Sequence, residues 1–481
     1  MKYRAEIDGL RAIAVIPVIL FHAGFEYFSG GFVGVDVFFV ISGYLITTIL
    51  IEDIENKRFS IVNFYERRAR RILPALTVFT LLTIPPAWML LTDSSLQKFG
   101  YALIGVSMFA SNVVFWKQQG YFNDSAEINP LLHTWSLSVE EQYYILFPIF
   151  LLLAWRFSKN TVFWMIVVIA AISFSLCEWG WRNKGMANFY LAPTRAWELL
   201  VGSVAAFIVQ KRGVQTNNLL ASLGLTAILL AIFFYDKTVP FPSVYALVPT
   251  LGVFLVIIYA NQGTIIARLL STRSFVCIGL VSYSAYLYHQ PLFSFWRVIN
   301  KQKNIGYEVS IALIIATFFL AYLSWRYIEK PFRNKSFLNK SSIFVFSLFS
   351  LILLLSLGFA SKHSVKNYEH RIAKLLSENK FIYIEDMDDR KFTEGRLIYP
   401  LNDVNHIIIG SSRVKQINSE MIGEPIINLA VSGASIEDDI AISLEAVAKL
   451  KSKNVYIAAD PWMLNINDNQ DSYKSINSLY E

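Results

Sequence analysis

Charge is what this chain lacks most. Only 16% of its 481 residues are Asp, Glu, Lys or Arg, where a soluble globular domain carries roughly 25%. Mean hydropathy is correspondingly high, at +0.44. Cysteine is scarce as well. Cys177 and Cys277 both lie in or beside apolar runs, and two such residues offer neither a disulfide framework nor a metal site. No internal repeat or low-complexity stretch stands out. The first apolar run also lacks a small-residue cleavage site, and it carries Arg11 and His22, which a discarded signal peptide has no use for.

What the chain has is apolar length. Hydrophobic residues make up 54% of it, gathered in runs of about 17–22, enough to cross the roughly 30 Å hydrocarbon core of a bilayer. This excludes a soluble protein. The net charge of +7 is not a nucleic-acid signature, because the cations cluster beside apolar runs: Arg67, Arg68, Arg70 and Arg71, then Lys330, Arg333, Lys335 and Lys340. That is how cytoplasmic loops look under the positive-inside rule.

The pattern predicts full spans near 9–25, 31–51, 72–92, 138–156, 161–179, 193–210, 219–235, 246–260, 276–297, 307–325 and 342–360. With the N-terminus inside, every basic cluster returns to the same side, provided that the apolar stretch 98–116 is not a crossing. Residues 98–132 are therefore expected to be partly inserted, their backbone shielded from lipid by protein. A genuine span paired with a second half-span in 120–137 is the alternative. Ten core spans thus precede residue 335, and an eleventh delivers the C-terminus outside. Residues 361–481 change character. Strand-like runs at His406–Ile409, Ile426–Ala430 and Val455–Ala459, with helical periodicity over Ile436–Lys451 between the last two, predict a parallel α/β layer.

Ionisable groups inside a membrane are costly, which makes them candidates for function. Arg11 and His22 share the first span, about 16 Å apart along a helix axis. His22 can act as general base toward a sugar hydroxyl, or it can be a packing histidine bonded to a carbonyl. Asp36, among Val and Phe, needs a cationic or hydroxyl partner; Gly31, Gly34, Ser42 and Gly43 around it allow close helix approach. The arginines at 67–71 suit phosphates, and equally a topological anchor on lipid headgroups. Glu140 and Glu141 fall at an expected outer membrane edge, flanked by Trp135, Tyr143 and Tyr144. His289 sits in a span that Pro291 is expected to break.

Taken in order, these motifs are specific. Arg11-x10-His22, Gly34-Val-Asp-Val-Phe-Phe-Val-Ile-Ser-Gly-Tyr44, Arg68-x-x-Arg71, Trp135-Ser-Leu-Ser-Val-Glu-Glu-Gln-Tyr143, Ser282-Tyr-Ser-Ala-Tyr-Leu-Tyr-His289 and Ile328-Glu-Lys-Pro-Phe-Arg333 closely resemble the membrane acyltransferase-3 family over residues 1–335. The resemblance implies an O-acyltransferase that takes acyl groups, most commonly acetyl, from cytoplasmic acyl-CoA. The acceptor it implies is a surface glycan such as lipopolysaccharide O-antigen or peptidoglycan, with no bound cofactor or metal and no nucleic acid. By the same resemblance His22 is the base or acyl relay, with Arg11 its motif partner. Arg68 and Arg71 engage the donor, although Arg67 and Arg70 have the same spacing. Glu140 stands near the acceptor side, with Asp36 and His289 in support. The implied site is a bacterial cytoplasmic membrane, with the N-terminus cytoplasmic.

The resemblance also divides the chain into a membrane acyltransferase domain (1–335), a linking transmembrane helix (336–362) and a partial SGNH-like α/β domain outside the cytoplasm (363–481). The fold class is thus a polytopic α-helical membrane protein with a partial α/β appendage. In that domain Ser412 aligns with the family nucleophile, Gly433 with the glycine block and Asn465 with the asparagine block. The usual Gly-Asp-Ser reads Gly-Ser-Ser here, and no histidine follows His406. A serine without a base is not a triad, so the expected role is acceptor binding or positioning, in a domain that is naturally short or stops early here. Two competing readings remain: a transporter or flippase of an acyl donor or lipid-linked sugar, which ionisable residues in the membrane also suit, and a glycan-binding protein whose enzymatic parts have decayed.

Overall fold

The computed structural model describes residues 3–118, 127–302, 305–364, 368–378, 387–399, 404–450, 452–458 and 460. The chain divides into two units, Met1–Lys362 and His363–Glu481, each taken here by itself.

Apolar runs without interior polar partners must satisfy their own backbone, and in lipid only a helix does so within one segment. The first unit accordingly is helical: α1 (Ala5–His22), α2 (Gly34–Glu55), α3 (Ile61–Leu90), α4 (Asp93–Ser107), α5 (Ser111–Gln118), α6 (Thr134–Ala154), α7 (Lys159–Asn183), α8 (Gly185–Tyr190), α9 (Ala192–Arg212), α10 (Asn218–Phe234), α11 (Leu247–Tyr259), α12 (Ile265–Leu270), α13 (Arg273–Asn300), α14 (Tyr307–Ser324), α15 (Lys330–Arg333) and α16 (Lys340–His363). A short π-helical turn, Trp325–Glu329, joins α14 to α15. Each of the eleven expected spans falls on a helix of this unit. Seven helices among the described residues are long and apolar enough to cross a membrane, while Asn218–Phe234 and Val244–Tyr259 are apolar but shorter. The protein is a polytopic helical membrane protein.

The stretch expected to insert partly is two short helices. α4 and α5 fold back on one another through Met108–Ala110, where Phe109 takes a left-handed φ of 52°. At 15 and 8 residues neither reaches across a bilayer alone, since a helix rises only about 1.5 Å per residue. The rest of that expectation, residues 119–126, lies outside the described residues. One expectation is corrected: Pro291 does not break its span. α13 runs unbroken for 28 residues with Pro291 inside it; a proline removes one backbone donor, and the neighbouring turns hold the helix.

Small residues draw the helices together. A Cβ on Gly43 would lie 1.8 Å from the Leu199 carbonyl oxygen, and one on Gly202 would lie 2.0 Å from that of Val40. The α2 and α9 backbones are therefore in direct contact, a crossing only glycine permits. Gly31 and Gly34 meet α1 in the same manner, at Pro17 and Ala14. Ser42, grouped with them in the sequence, turns instead to a carboxylate.

In the second unit, α17 (Tyr368–Ser377) and α18 (Asp389–Ile398) precede a parallel sheet of β1 (His406–Ile409), β2 (Ile426–Asn428) and β3 (Asn454–Ile457). The strand order is β2-β1-β3. The short α19 (Ser419–Ile422) lies between the first two strands, and α20 (Ile436–Lys449), started by a Ser435–Asp438 capping box, crosses between the last two. All four β1 residues are buried, as expected of a central parallel strand covered on both faces.

Candidate active site

Helix geometry separates the arginines. Residues 67 and 70 share one face of α3, residues 68 and 71 the next. The first pair is engaged in structure: Arg67 meets Asp53 at 2.7 Å, and Arg70 meets Glu66 at 2.9 Å while donating to the Leu338 carbonyl at 2.7 Å. The second pair lines a cavity. Among the described residues, neither Arg68 nor Arg71 has a salt-bridge partner. Of the two equally spaced pairs, Arg68 and Arg71 are the one that lines the cavity. Arg68 is held by rings, its guanidinium 5.9 Å from the centre of Phe64 and 5.8 Å from that of Tyr144.

That cavity holds about 800 Å³ of atom-free space, part of it open to the exterior. Besides the two arginines it is lined by Arg11, Glu140, Glu141 and the ring of Tyr286, with apolar walls from α2. Arg11 is buried and paired with Asp8 at 3.1 Å. Glu140 accepts from Ser42 at 3.1 Å and from Tyr144 at 3.0 Å, so both of its oxygens are engaged. The expected placement of Glu140 and Glu141 at an outer edge is corrected. α6 begins earlier than expected, with Thr134, Trp135 and Ser136 already buried, which carries both carboxylates more than a turn inward, beside the arginines.

Arg11 and His22 do not meet. His22 is the last residue of α1, and its Nδ1 donates to the Val18 carbonyl at 2.8 Å, which leaves Nε2 as the basic nitrogen of the neutral ring. The carbonyl of His22 accepts from Arg297 at 2.6 Å, and that of Ala23 from Ser310 at 2.9 Å; these bonds fix the end of the helix. The His22 ring centre lies 5.1 Å from that of His289, which lies 5.3 Å from that of His133. A histidine cluster therefore stands apart from the arginine cavity. Tyr286 is common to both: it lines the cavity, its ring is 5.3 Å from that of His289, and its hydroxyl bonds to Ser136 at 2.7 Å.

Asp36 finds the cationic partner it required. Arg195 binds it at 3.1 Å and Glu198 at 3.2 Å, all three essentially inaccessible, with the rings of Phe39, Trp135, Phe189 and Phe241 packed around the guanidinium. This cluster lies outside the cavity lining and holds α2 to α9. Sequence reasoning passed over Arg195 and Glu198, although the signal was available: an arginine and a glutamate three apart inside an apolar span are as costly as Asp36 and demand the same explanation.

In the second unit Ser412 is exposed in the turn after β1, following Gly410 at φ 146°. Gly433 adopts φ 62°, and its carbonyl accepts from Arg390 at 3.2 Å. Asn465 lies outside the described residues. His406, at the far end of β1, bonds to Glu424 at 3.0 Å, and His370 of α17 to Glu394 at 3.2 Å.

The chain is 32% identical over 354 residues to the O-acetyltransferase OatA of Staphylococcus aureus (strain NCTC 8325), covering 70% of this chain and 58% of that protein. It is 31% identical over 356 residues to the peptidoglycan O-acetyltransferase OatA of Listeria monocytogenes, covering 70% and 57%. A longer match, 28% identical over 458 residues, covers 86% of this chain and 74% of the S. aureus (strain MRSA252) protein SAR0937. The chain thus spans little more than half the length of the OatA relatives it matches. No solved structure matches it. The acyltransferase domain of the acyltransferase-3 family matches residues 4–326, and the chain belongs to that family.

Proposed function

We propose that this protein transfers an acetyl group from acetyl-CoA to a hydroxyl of a surface glycan across a bacterial cytoplasmic membrane. The observation that carries the reading is the division of labour on α3: two arginines are spent on structure, and the next two face a cavity with no ion-pair partner among the described residues. A fixed fork of donors in a low-dielectric site suits a phosphate-rich donor. His22, with Nε2 basic and the end of its helix tied in place, suits deprotonation of an acceptor hydroxyl as it attacks the thioester carbonyl. About 16 Å of α1 separates Arg11 from His22, so the donor's long arm would run from the arginines past Tyr286 toward the histidines.

The acceptor is the finer part of the reading. The name of the Listeria relative supports peptidoglycan in preference to lipopolysaccharide O-antigen. In this reading the N-terminus and the arginines are cytoplasmic, while the histidine cluster and the second unit face outward. Ser412, exposed in the turn after β1, is not the nucleophile of the transfer in this reading. The test is ester-linked acetate in purified peptidoglycan and in the remaining surface polysaccharide of a deletion strain. Acetate lost from peptidoglycan and restored by the wild-type gene supports the reading; unchanged acetate in both fractions overturns it and favours a transporter.

A further inference from the structure

The hydroxyls of the arginine cavity sort as its arginines do. Ser42 and Tyr144 donate to Glu140, Tyr283 donates to the Ile72 carbonyl at 3.1 Å, and Ser136 and Tyr286 bond to one another at 2.7 Å. Ser282 is the exception. It belongs to the cavity lining and is fully buried, yet its hydroxyl has no partner among the described residues. A serine or threonine inside a helix can give its proton to the carbonyl one turn back. Thr80, Ser203, Ser347 and Ser361 do so in this chain, and Ser284, two residues along α13, bonds to Ser324 and Glu329. Ser282 does neither, although buried polar groups are as a rule paired. Two other buried hydroxyls, those of Thr77 and Thr250, also lack a partner among the described residues, but neither residue lines the cavity.

The position of Ser282 indicates what pairs with it. A Cβ on Gly279 would lie 1.8 Å from the Asp8 carbonyl oxygen, so α13 and α1 touch there, and Ser282 and Arg11 each follow three residues later. Tyr283 reaches α3 at Ile72, the neighbour of Arg71. Ser282, Tyr286 and His289 fall at i, i+4 and i+7, one stripe of α13 about 10 Å long. The stripe ends at the ring whose centre is 5.1 Å from that of His22. Ser282 thus stands at the arginine end of the route to His22, opposite α2 walls of Val, Ile, Leu and Phe that offer no side-chain hydrogen bond. We propose that the Ser282 hydroxyl hydrogen-bonds an amide of the donor's pantetheine arm. The proposal rests on the acetyl transfer proposed above. That arm joins the phosphates of acetyl-CoA to its thioester and carries a pair of secondary amides. An amide drawn into an apolar passage without a partner is costly, and a hydroxyl can donate to its carbonyl or accept from its N–H. Rotation about the Cα–Cβ bond moves the hydroxyl among staggered positions, so it meets the arm without a shift of the helix. The amide is unchanged by the reaction, so the contact tightens binding and leaves the chemical step alone. Ser282 is a donor-binding residue.

The test uses the full chain purified in detergent, and it reads binding as well as turnover. Labelled acetyl-CoA is displaced by CoA and by two CoA analogues, in each of which one amide of the arm is replaced by methylene groups. Wild type is expected to bind one of these analogues about tenfold more weakly than CoA. Ser282→Ala is expected to accumulate and melt as wild type does, because its hydroxyl bonds to nothing in the fold, and to bind CoA about tenfold more weakly. It should lose no further affinity for that same analogue, a dependence between partners that a direct contact produces. In acetyl transfer to glycan extracted from the deletion strain, its KM for acetyl-CoA should rise about tenfold with kcat within twofold of wild type. Affinity for CoA within twofold of wild type overturns the assignment. So do failure to accumulate, a fall in kcat at constant KM, or equal further losses with both analogues, which mark a structural role. If wild type binds acetyl-CoA and transfers acetate while Ser282→Ala is unaltered, only the role of Ser282 fails; if wild type binds no acetyl-CoA, the proposed function fails with it.

Discussion

At the scale of single residues, the site is distinguished by which charges are left over. Arg67 and Arg70 are consumed by Asp53 and Glu66, whereas Arg68 and Arg71 face a cavity. Removing either of the latter should raise the KM for acetyl-CoA about tenfold, the effect of losing one charge-assisted contact worth roughly 1.4 kcal/mol. Arg67→Ala should leave it near wild type. Initial rates against acetyl-CoA concentration in membranes check both. A different outcome is expected at Arg195, which neutralises Asp36 and Glu198 in a dry site. Arg195→Met strands two buried carboxylates and should destabilise by about 3–5 kcal/mol, seen as lost accumulation and a lower melting temperature in detergent. The residue types were legible in the sequence, because any charge in an apolar run is conspicuous. The pairings were not: Asp36 and Arg195 are 159 positions apart, and which of two equally spaced arginine pairs faces inward depends on helix rotation, which spacing alone leaves open.

At the scale of elements, helix positions followed from hydropathy because the bilayer length is a physical constant of the problem. What hydropathy could not supply was depth. α6 starts inside the protein, and this moved Glu140 from an expected edge to the arginine cavity. Contacts made by small residues are just as local. Gly43→Ala would drive a methyl into the Leu199 carbonyl, and overpacking of that kind costs about 1–3 kcal/mol; a lower thermal midpoint with acetyl-CoA KM unchanged in the surviving fraction is the expected result. In α20 of the second unit, burial, together with the charges of Asp438 and Asp460, pushes the Asp439 carboxyl up to about 6. A raised carboxyl binds its proton more tightly when folded, so this group opposes folding above that pH. Its penalty fades as pH falls through 6 toward the ordinary carboxylate range. Asp439→Asn should therefore make this unit more protease-resistant at pH 7.5, with the gap from wild type closing by pH 4.5.

For the whole molecule, the proposed function assigns the transfer to the first unit. The family match covers residues 4–326 and stops short of the second unit, whose Ser412 is exposed. Ser412→Ala should leave surface acetylation within twofold of wild type. The measurement closest to the central claim is the ester-linked acetate of surface glycan, by proton NMR, in a deletion strain complemented with wild type or His22→Ala at matched membrane levels. The account predicts that His22→Ala reduces acetate to the level of the uncomplemented strain. Full acetylation by His22→Ala would contradict it, because a membrane domain that acetylates without the imidazole at the end of α1 is not using the site described here.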